Sequence, residues 1–438
     1  CQTIIDAAGC AAVLCGPRFA RQFDEELNLS REILWIVDDI DPSIEPPEDD
    51  SLHFIWLRLS ELYRAGEGLV PDALPIDSDT LALLLYTSGS TGKPKGVKLT
   101  YGNIFASWSA FSSVLGTGPD DVALAIAPFG HVGGLNTFTF ATLLAGGLVV
   151  VQRKWDVGDA LAKIEHYRVT RTFGVPTMYD AMARHPDFSS RDLSSLKTAI
   201  VGGAVCPRDL FDVFAARGVP LANSWGMTET AGGGTLTPPQ DMAKHCAQVG
   251  KAAPGMTMRV TREDGSAASV GEVGELSVCG PSVSPGYWGK PEGQGCGFSG
   301  DGWFRTGDLV SVDAEGFYTI EGRVKDLIIS GGENIFPAEI ETVLREHPCV
   351  ADAVVVGMPD NRWGELPAAF VVIEDGAELA VEDLRAFAFT RLAKYKVPRT
   401  MIEIEDIPLG STGKPDRQAL VEIAAHHHDP GPRWYAYK

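Results

Sequence analysis

Tyr86-Thr-Ser-Gly-Ser-Thr-Gly-Lys-Pro-Lys-Gly-Val97 is a glycine-rich phosphate loop that departs from the Walker pattern. A Walker A motif sets Gly, four residues, then Gly-Lys-Ser/Thr. Here Gly92-Lys93 is followed by Pro94, and Thr87 stands where the first glycine would be. The preceding run Leu81-Ala-Leu-Leu-Leu85, short and wholly apolar, predicts a buried strand. That strand delivers three hydroxyls (Ser88, Ser90, Thr91), two glycines (Gly89, Gly92) and two lysines (Lys93, Lys95) into one turn. Glycines let backbone N–H groups close on phosphate oxygens, while hydroxyls and ammonium groups add donors and charge. A merely solvated Gly/Ser loop would not need two lysines spaced about a rigid proline.

At 438 residues the chain exceeds one ordinary domain, and its length predicts roughly two to four. Apolar residues make up 45% and mean hydropathy is near zero, as in a globular chain with ample core. A net charge of -21 excludes nucleic-acid binding through a global basic field. A local cluster of lysines and glycine N–H groups can still hold an anion. The eight cysteines are scattered, with no C-x-x-C pair. That scatter predicts reduced thiols in a cytoplasmic enzyme, not a disulfide framework or a zinc site. His426-His-His428 stands in an Asp/Pro/Gly-rich tail and reads as solvated. No apolar run is long enough to span a bilayer and no signal-peptide pattern is present, so no transmembrane segment is expected.

Outward from the loop, strand-like and helix-like runs alternate. Ala11-Ala-Val-Leu-Cys15 and Ile33-Leu-Trp-Ile-Val-Asp38 predict strands with a helix-compatible segment between them. Residues 40–80, rich in Asp, Pro and Glu, predict a surface connection. After the loop, Thr100 is placed to cap a helix carrying Ile104, Phe105, Trp108, Phe111 and Leu115 on one face. Strand-like runs at 122–127, 148–152, 171–175 and 198–201 continue a parallel sheet. From 247 to 321 the texture turns to short strands cut by Gly and Pro, which predicts a smaller β-rich subdomain. Past a boundary near Gly322-Arg-Val-Lys-Asp326 come a strand at 327–330 and a helix opened by Pro337. Strands at 353–356 and 368–373 and a helix around 381–395 complete a domain large enough to fold alone. No internal repeat is read. The expected fold is α/β. A large N-terminal domain of βα-layered sheets with a β-rich subdomain spans 1–324, and a small mobile α+β domain spans 325–438.

Further stretches follow the loop in order: Pro128-Phe-Gly-His-Val-Gly-Gly134, Gly202-Gly-Ala204, and Asn223-Ser-Trp-Gly-Met-Thr-Glu-Thr230 running into Ala231-Gly-Gly-Gly234. Then come Phe304-Arg-Thr-Gly-Asp-Leu309, Ser330-Gly-Gly-Glu-Asn-Ile-Phe-Pro-Ala-Glu-Ile-Glu341 and Pro408-Leu-Gly-Ser-Thr-Gly-Lys-Pro-Asp-Arg417. Each alone has a plain structural meaning. Gly-Gly or Gly-Asp marks a turn, Thr-Glu opens a helix, a lone histidine is more often structural, and a lysine in a Gly-rich turn is solvated. Together, and in this order, they resemble the adenylate-forming superfamily of acyl- and aryl-CoA synthetases, peptide-synthetase adenylation domains and luciferases. The twelve-residue string ending at Glu341 is the most specific of them and is similar to the CoA ligases.

The resemblance implies ATP, Mg2+ and coenzyme A. In it, Thr87, Ser88, Gly89, Ser90, Thr91, Gly92 and Lys95 grip phosphates. Gly203, Ala204, Asn223, Ser224, Trp225 and Gly226 border the adenine, with Trp225 standing where the family usually has tyrosine. Thr228 touches phosphate and Glu229 holds Mg2+, an ion that prefers few carboxylates and several phosphate or water oxygens. Asp308 accepts from the ribose hydroxyls, Arg323 is a second ribose contact, and Lys325 is the hinge of the small domain. Gly331 and Gly332 line the pantetheine tunnel. Lys414 bridges the acyl carboxylate and the α-phosphate, where charge develops as pyrophosphate leaves. His131 shapes the carboxylate site without moving a proton, because carboxylates are already ionised at neutral pH. Gly133, Phe173, Gly174, Val175, Gly232 and Gly233 are softer pocket candidates, and the glycines either widen the acid pocket or serve the backbone.

The activity implied is a two-step ligation, giving acyl-AMP and pyrophosphate, then a CoA thioester and AMP. A peptide-synthetase domain would anchor an ammonium with an aspartate near Gly130-His131, and no Asp occurs between Asp121 and Asp156. An acyl-AMP ligase serving a carrier protein, a luciferase-like oxidation and a non-catalytic nucleotide-binding module are the other readings. Intact Thr228, Glu229, Asp308, Arg323 and Lys414 oppose the last. The acid is left open among fatty, aryl and short-chain carboxylates, as is a homodimer. The chain opens on Cys1 inside helix-like sequence, so the first part of the large domain is expected to be missing.

Overall fold

The computed structural model describes residues 2–16, 19, 22–23, 33–37, 56–70, 75–87, 94–204, 206–295, 297–410, 414–426 and 433–436. The chain divides into two compact units, Cys1–Gly102 with Ser284–Glu292, and Asn103–Val283 with Gly293–Lys438.

In the first unit, helix α1 (Gln2–Ala8) precedes three parallel strands, β1 (Ala12–Cys15), β2 (Leu34–Val37) and β3 (Trp56–Arg58). The first two are the strands read from the apolar runs; most of the segment between them lies outside the described residues. Residues 40–80 are not only a connection, because β3 and helix α2 (Leu59–Ala65) lie inside them. The Asp/Pro/Glu-rich flanks hid a short helix-forming stretch whose Glu61 and Arg64 suit its dipole. Strands β4 (Leu81–Thr87) and β5 (Lys95–Thr100) form an antiparallel hairpin in which Thr87 faces Lys95. The glycine-rich stretch expected to bind phosphate runs between these two paired strands. Its residues Ser88, Gly89, Ser90, Thr91, Gly92 and Lys93 lie outside the described residues. β4 is not the buried strand expected: Leu81 is exposed and its other residues are half-buried, since a two-stranded ribbon cannot cover both of its faces. The far side of β5 is bound by the 284–288 segment, through Lys98 N–H to Gly286 C=O (3.0 Å) and Trp288 N–H to Gly96 C=O (2.7 Å).

The second unit begins along helix α3 (Tyr101–Leu115). Its core side carries Asn103, Ile104, Ser107, Ala110, Phe111 and Leu115. Phe105 is exposed, contrary to expectation, because one residue past Ile104 turns about 100° round the helix. Two polar residues hold the core side instead. Asn103 Nδ2 donates to the carbonyls of Pro281 (2.9 Å) and Val283 (3.0 Å), and Ser107 fits against Gly233.

Behind α3 stands a seven-stranded sheet. Its strands are β6 (Val122–Ala125), β7 (Leu148–Val151), β8 (Arg171–Gly174), β9 (Thr198–Val201), β10 (Leu221–Trp225), β11 (Thr235–Leu236) and β12 (Lys251–Ala252). Their order is 12-11-10-9-8-6-7, parallel from β10 to β7 and antiparallel at the other edge. Strand alternation sends Ala199 and Val201 to one face, against helices α4 (Val157–His166), α5 (Pro176–Arg184) and α6 (Arg208–Ala216). Ile200 and Ala222 go to the other face, with Phe111 and Leu115 of α3. At the foot of β6 and β8, Asp121 and Arg171 form a buried ion pair at 2.9 Å. Burial would raise the Asp121 carboxyl, but Lys197, the Gly118 amide and Arg171 outweigh it and hold it at about 2.

The β-rich region forms a second sheet, β13 (Thr257–Thr261), β14 (Gly274–Cys279), β15 (Gln294–Gly295), β16 (Phe298–Ser299), β17 (Phe304–Val312) and β18 (Tyr318–Arg323). β12, read with this region, belongs to the seven-stranded sheet. The chain then passes through a 3-10 turn, Val324–Asp326, into a last sheet of β19 (Ile328–Ser330), β20 (Glu333–Ile335), β21 (Val350–Asp360), β22 (Gly364–Ile373), β23 (Thr400–Glu403) and β24 (Arg433–Ala436). Helices α7 (Pro337–Arg345) and α8 (Val381–Phe389) cover one face, and α9 (Arg417–His426) covers the other. α8 is shorter than the 381–395 expected. Val397-Pro398 demands extended backbone, and Lys396 is drawn to Glu339 at 2.6 Å.

Among the described residues, six cysteines are free thiols and no helix is long and apolar enough to cross a membrane.

Candidate functional site

Asp308 sits on β17 directly opposite Arg323 on β18. The intervening Gly307 adopts φ +72°, a conformation glycine takes without strain, and Thr306 Oγ1 accepts the Asp308 amide (3.0 Å). Both carboxylate oxygens are engaged. Arg323 Nε lies 2.8 Å from Oδ1, and Trp225 Nε1, at the end of β10, donates to Oδ2 at 2.8 Å. A carboxylate has about four acceptor positions, so each oxygen keeps one for a further donor. Asp308 is 2% exposed. Burial raises its pKa, opposed by Arg323, the Trp225 bond and Lys414.

Trp225 is engaged on its other side. Its ring joins Val249, Val260, Leu276 and Phe304 in a core cluster and rests on Gly234, where a Cβ would come within 2.5 Å of it. The indole at the position where tyrosine was expected thus supplies both a packing surface and the donor that orients Asp308. Beyond it, Thr228–Thr230 forms a 3-10 turn with Thr228 half-buried and Glu229 buried. The turn closes through Ala231 in the left-handed region (φ +53°) and Gly232 (φ +81°). The buried Asn136 amide donates to the Ala231 carbonyl.

His131 follows a tight turn, its N–H bonding Pro128 C=O at 3.1 Å, and leads into a π-helical segment, Gly133–Phe140. His131 keeps exposed surface while protein surrounds part of it. Burial, then the charge of Lys414, holds its pKa below the ordinary histidine value, so it is neutral at pH 7. Lys414 is likewise crowded while retaining exposed surface. Burial lowers its pKa, as do Arg323 and Lys325, and Asp308 opposes them. Lys414, His131, Asp308, Arg323 and Lys325 therefore share one electrostatic field. An ammonium in such a field gains most when anions arrive to neutralise the surrounding cations.

The pocket glycines serve close packing. A Cβ at Gly133 would lie 2.4 Å from the Phe173 ring, at Gly233 2.8 Å from Ser107 Oγ, and at Gly226 2.3 Å from Gly232 C=O. At Gly133 and Gly233 a neighbouring side chain takes the space a Cβ would need, whereas at Gly232 the nearest atoms stand at ordinary contact distance, 3.4 Å. A gap of about 10 Å³ beside Phe173, lined also by Ala125, Gly134, Phe138 and Thr139, has room for about one water. Gly203 and Ala204 are exposed at the end of β9, with Val175 beside Gly203. Asn223 and Ser224 are buried within β10. Gly331 (φ +61°) packs on Trp363, and a Cβ at Gly332 (φ +88°) would meet nothing within 4 Å. Thr87 and Lys95 belong to the hairpin unit, where Lys95 Nζ lies 5.8 Å from the Tyr287 ring centroid. The Trp225–Asp308 bond and the Asn136–Ala231 bond were not legible in the sequence, because each joins residues dozens of positions apart.

Residues 1–288 match the model of the AMP-binding enzyme family, and residues 339–414 match that of the AMP-binding enzyme C-terminal domain. A feruloyl-CoA synthase from Amycolatopsis is 42% identical over 346 residues, 78% of this chain and 70% of that protein. An indoleacetate–CoA ligase from Aromatoleum aromaticum is 36% identical over 411 residues, 93% of this chain and 78% of that protein. Among solved structures, O-succinylbenzoate coenzyme A synthetase from Bacillus subtilis, in complex with ATP and magnesium ion, superposes with a TM-score of 0.77. It is 31% identical, and the match covers 92% of this chain and 81% of that one. The chain belongs to the AMP-binding enzyme family.

Proposed function

We infer that this chain is an ATP-dependent carboxylate–CoA ligase, using ATP, Mg2+ and coenzyme A to form an acyl-AMP with release of pyrophosphate, then an acyl-CoA thioester with release of AMP. The observation that carries the site assignment is Asp308, fixed by Trp225 and Arg323 within the field of Lys414. In this reading the free acceptor positions of Asp308 take the ribose hydroxyls, and the exposed Gly203-Ala204 backbone borders the adenine. Thr228 meets phosphate. Glu229 supplies the single protein carboxylate suited to a magnesium ion that arrives on the phosphates of ATP. Neutral His131 offers an N–H to the acid without adding charge beside Lys414. Lys414 draws the carboxylate and the α-phosphate together, so that attack on phosphorus proceeds in line while pyrophosphate leaves. Residues 325–438 then turn about Lys325 and bring Gly331 and Gly332 to the CoA thiol, which displaces AMP.

The acid proposed is aryl-substituted. Two relatives named for feruloyl and indoleacetate substrates support that class. Incubation with MgATP, CoA and a panel of ferulate, indole-3-acetate, hexadecanoate and acetate, scored by thioester mass, tests the reading. A thioester with an aryl acid is expected. Acid-dependent ATP–pyrophosphate exchange without thioester would turn the assignment to an acyl-AMP ligase. Neither product with any acid would overturn it.

A further inference from the structure

Lys414 is held at the neck of a hairpin. Gly410 N–H donates to Lys414 C=O and Asp416 N–H to Pro408 C=O, both at 2.8 Å, and Leu409 pairs with Pro415. Asp416 then caps α9, its Oδ1 accepting Ala419 N–H at 3.1 Å. The next residue, Arg417, turns away from solvent into a network of anions and carbonyls. Its Nη2 bonds Glu341 Oε1 at 2.8 Å, its Nη1 donates to Val355 C=O, and its Nε lies 3.7 Å from Asp326 Oδ2. Glu341 Oε1 also accepts Val355 N–H at 2.8 Å, so the carboxylate is fixed before Arg417 reaches it. The Glu341 side chain is 8% exposed and that of Arg417 29%. One guanidinium therefore joins the lysine hairpin, helix α7, strand β21 and Asp326, which follows Lys325 in the chain.

We propose that Arg417 is the positioning residue that sets where Lys414 stands during adenylation. A flexible lysine does its work only if its backbone mount is fixed, and a misplacement of about 1 Å can cost about a hundredfold in rate. The planar fork of arginine fixes direction as well as distance, which a lysine or a neutral side chain cannot do. Its tie to Asp326 anchors the mount beside Lys325. The hairpin thus moves with the body that carries Glu341 and the Gly331–Gly332 loop.

The inference rests on the ligase reading, and its test separates the two. In the full-length chain, with whichever acid of the panel wild type converts fastest, Arg417→Met is expected to lower acid-dependent ATP–pyrophosphate exchange by about 10- to 100-fold. Thioester formation from supplied acyl-AMP, a step that does not use Lys414, should stay within about threefold of wild type. Arg417→Lys, which restores charge without the fork, should recover part of the exchange. Should Arg417→Met fail to fold, Glu341→Gln keeps size and one acceptor oxygen and should show the same split, at about three- to tenfold. Equal loss of both half-reactions, or no loss in either, would overturn the positioning role. Wild type without any exchange would overturn the ligase reading itself.

Discussion

Gly89-Ser-Thr-Gly-Lys-Pro94 and Gly410-Ser-Thr-Gly-Lys-Pro415 are the same six residues, set more than three hundred positions apart. Both copies connect antiparallel partners, Thr87 facing Lys95 in one and Leu409 facing Pro415 in the other. Their settings differ. The first rises from a half-buried two-stranded ribbon bound on one side by the 284–288 segment. The second stands on a helix cap braced by Arg417, with its lysine in the field of Arg323, Lys325 and Asp308. The hexapeptide carries the same hydroxyls, glycines and lysine in both places. In the proposed function the first copy grips the leaving phosphate and the second drives adenylation, a division assigned to the mount and to the charges around it.

The largest test of that contrast is Lys414→Ala. Removing the cation proposed to face both carboxylate and α-phosphate should lower adenylation by about 10²–10³-fold, measured as acid-dependent ATP–pyrophosphate exchange. Lys95→Ala, at the base of the first copy, should act mainly on nucleotide binding and raise the MgATP KM by about tenfold with little change in kcat. Matching effects from the two substitutions would erase the distinction. The smallest effect concerns pH. Lys414 is proposed to act as a cation, and burial with Arg323 and Lys325 lowers its pKa, so deprotonation would remove the active form as pH rises. Adenylation should decline on the alkaline side at a pH below the ordinary lysine range of about 10.4. Arg at this position stays charged throughout, so Lys414→Arg should flatten that limb while keeping a reduced rate. An unchanged alkaline limb in Lys414→Arg would assign it to another group.

Much of this was legible because it is local. The runs ending at Val201 and Ile373 became strands since each is short, apolar and bounded by turn residues. Pro337 opened α7 as its fixed φ predicts. Asp308 and Arg323 face each other on neighbouring strands, and Lys414 acts electrostatically on Asp308 and His131. What stayed hidden was made by distance. Gly133 and Gly232–Gly234 read as either widening an acid pocket or serving the backbone, and only the folded chain shows that a Cβ at Gly133, Gly233 or Gly234 would meet a ring or a hydroxyl within 3 Å. Periodicity put Phe105 in the core, where Asn103 and Ser107 are found, because the α3 interface is partly a hydrogen-bonded one. Arg417 closed a motif whose lysine drew the attention, and its three partners lie 62 to 91 residues upstream.

The most direct measurement compares wild type and Lys414→Ala in the thioester half-reaction alone, with acyl-AMP supplied and CoA-thioester release followed in a single turnover. If Lys414 serves adenylation and leaves the site before the thiol attacks, the two rates should agree within about threefold. A fall in thioester formation as deep as the fall in pyrophosphate exchange would contradict the account.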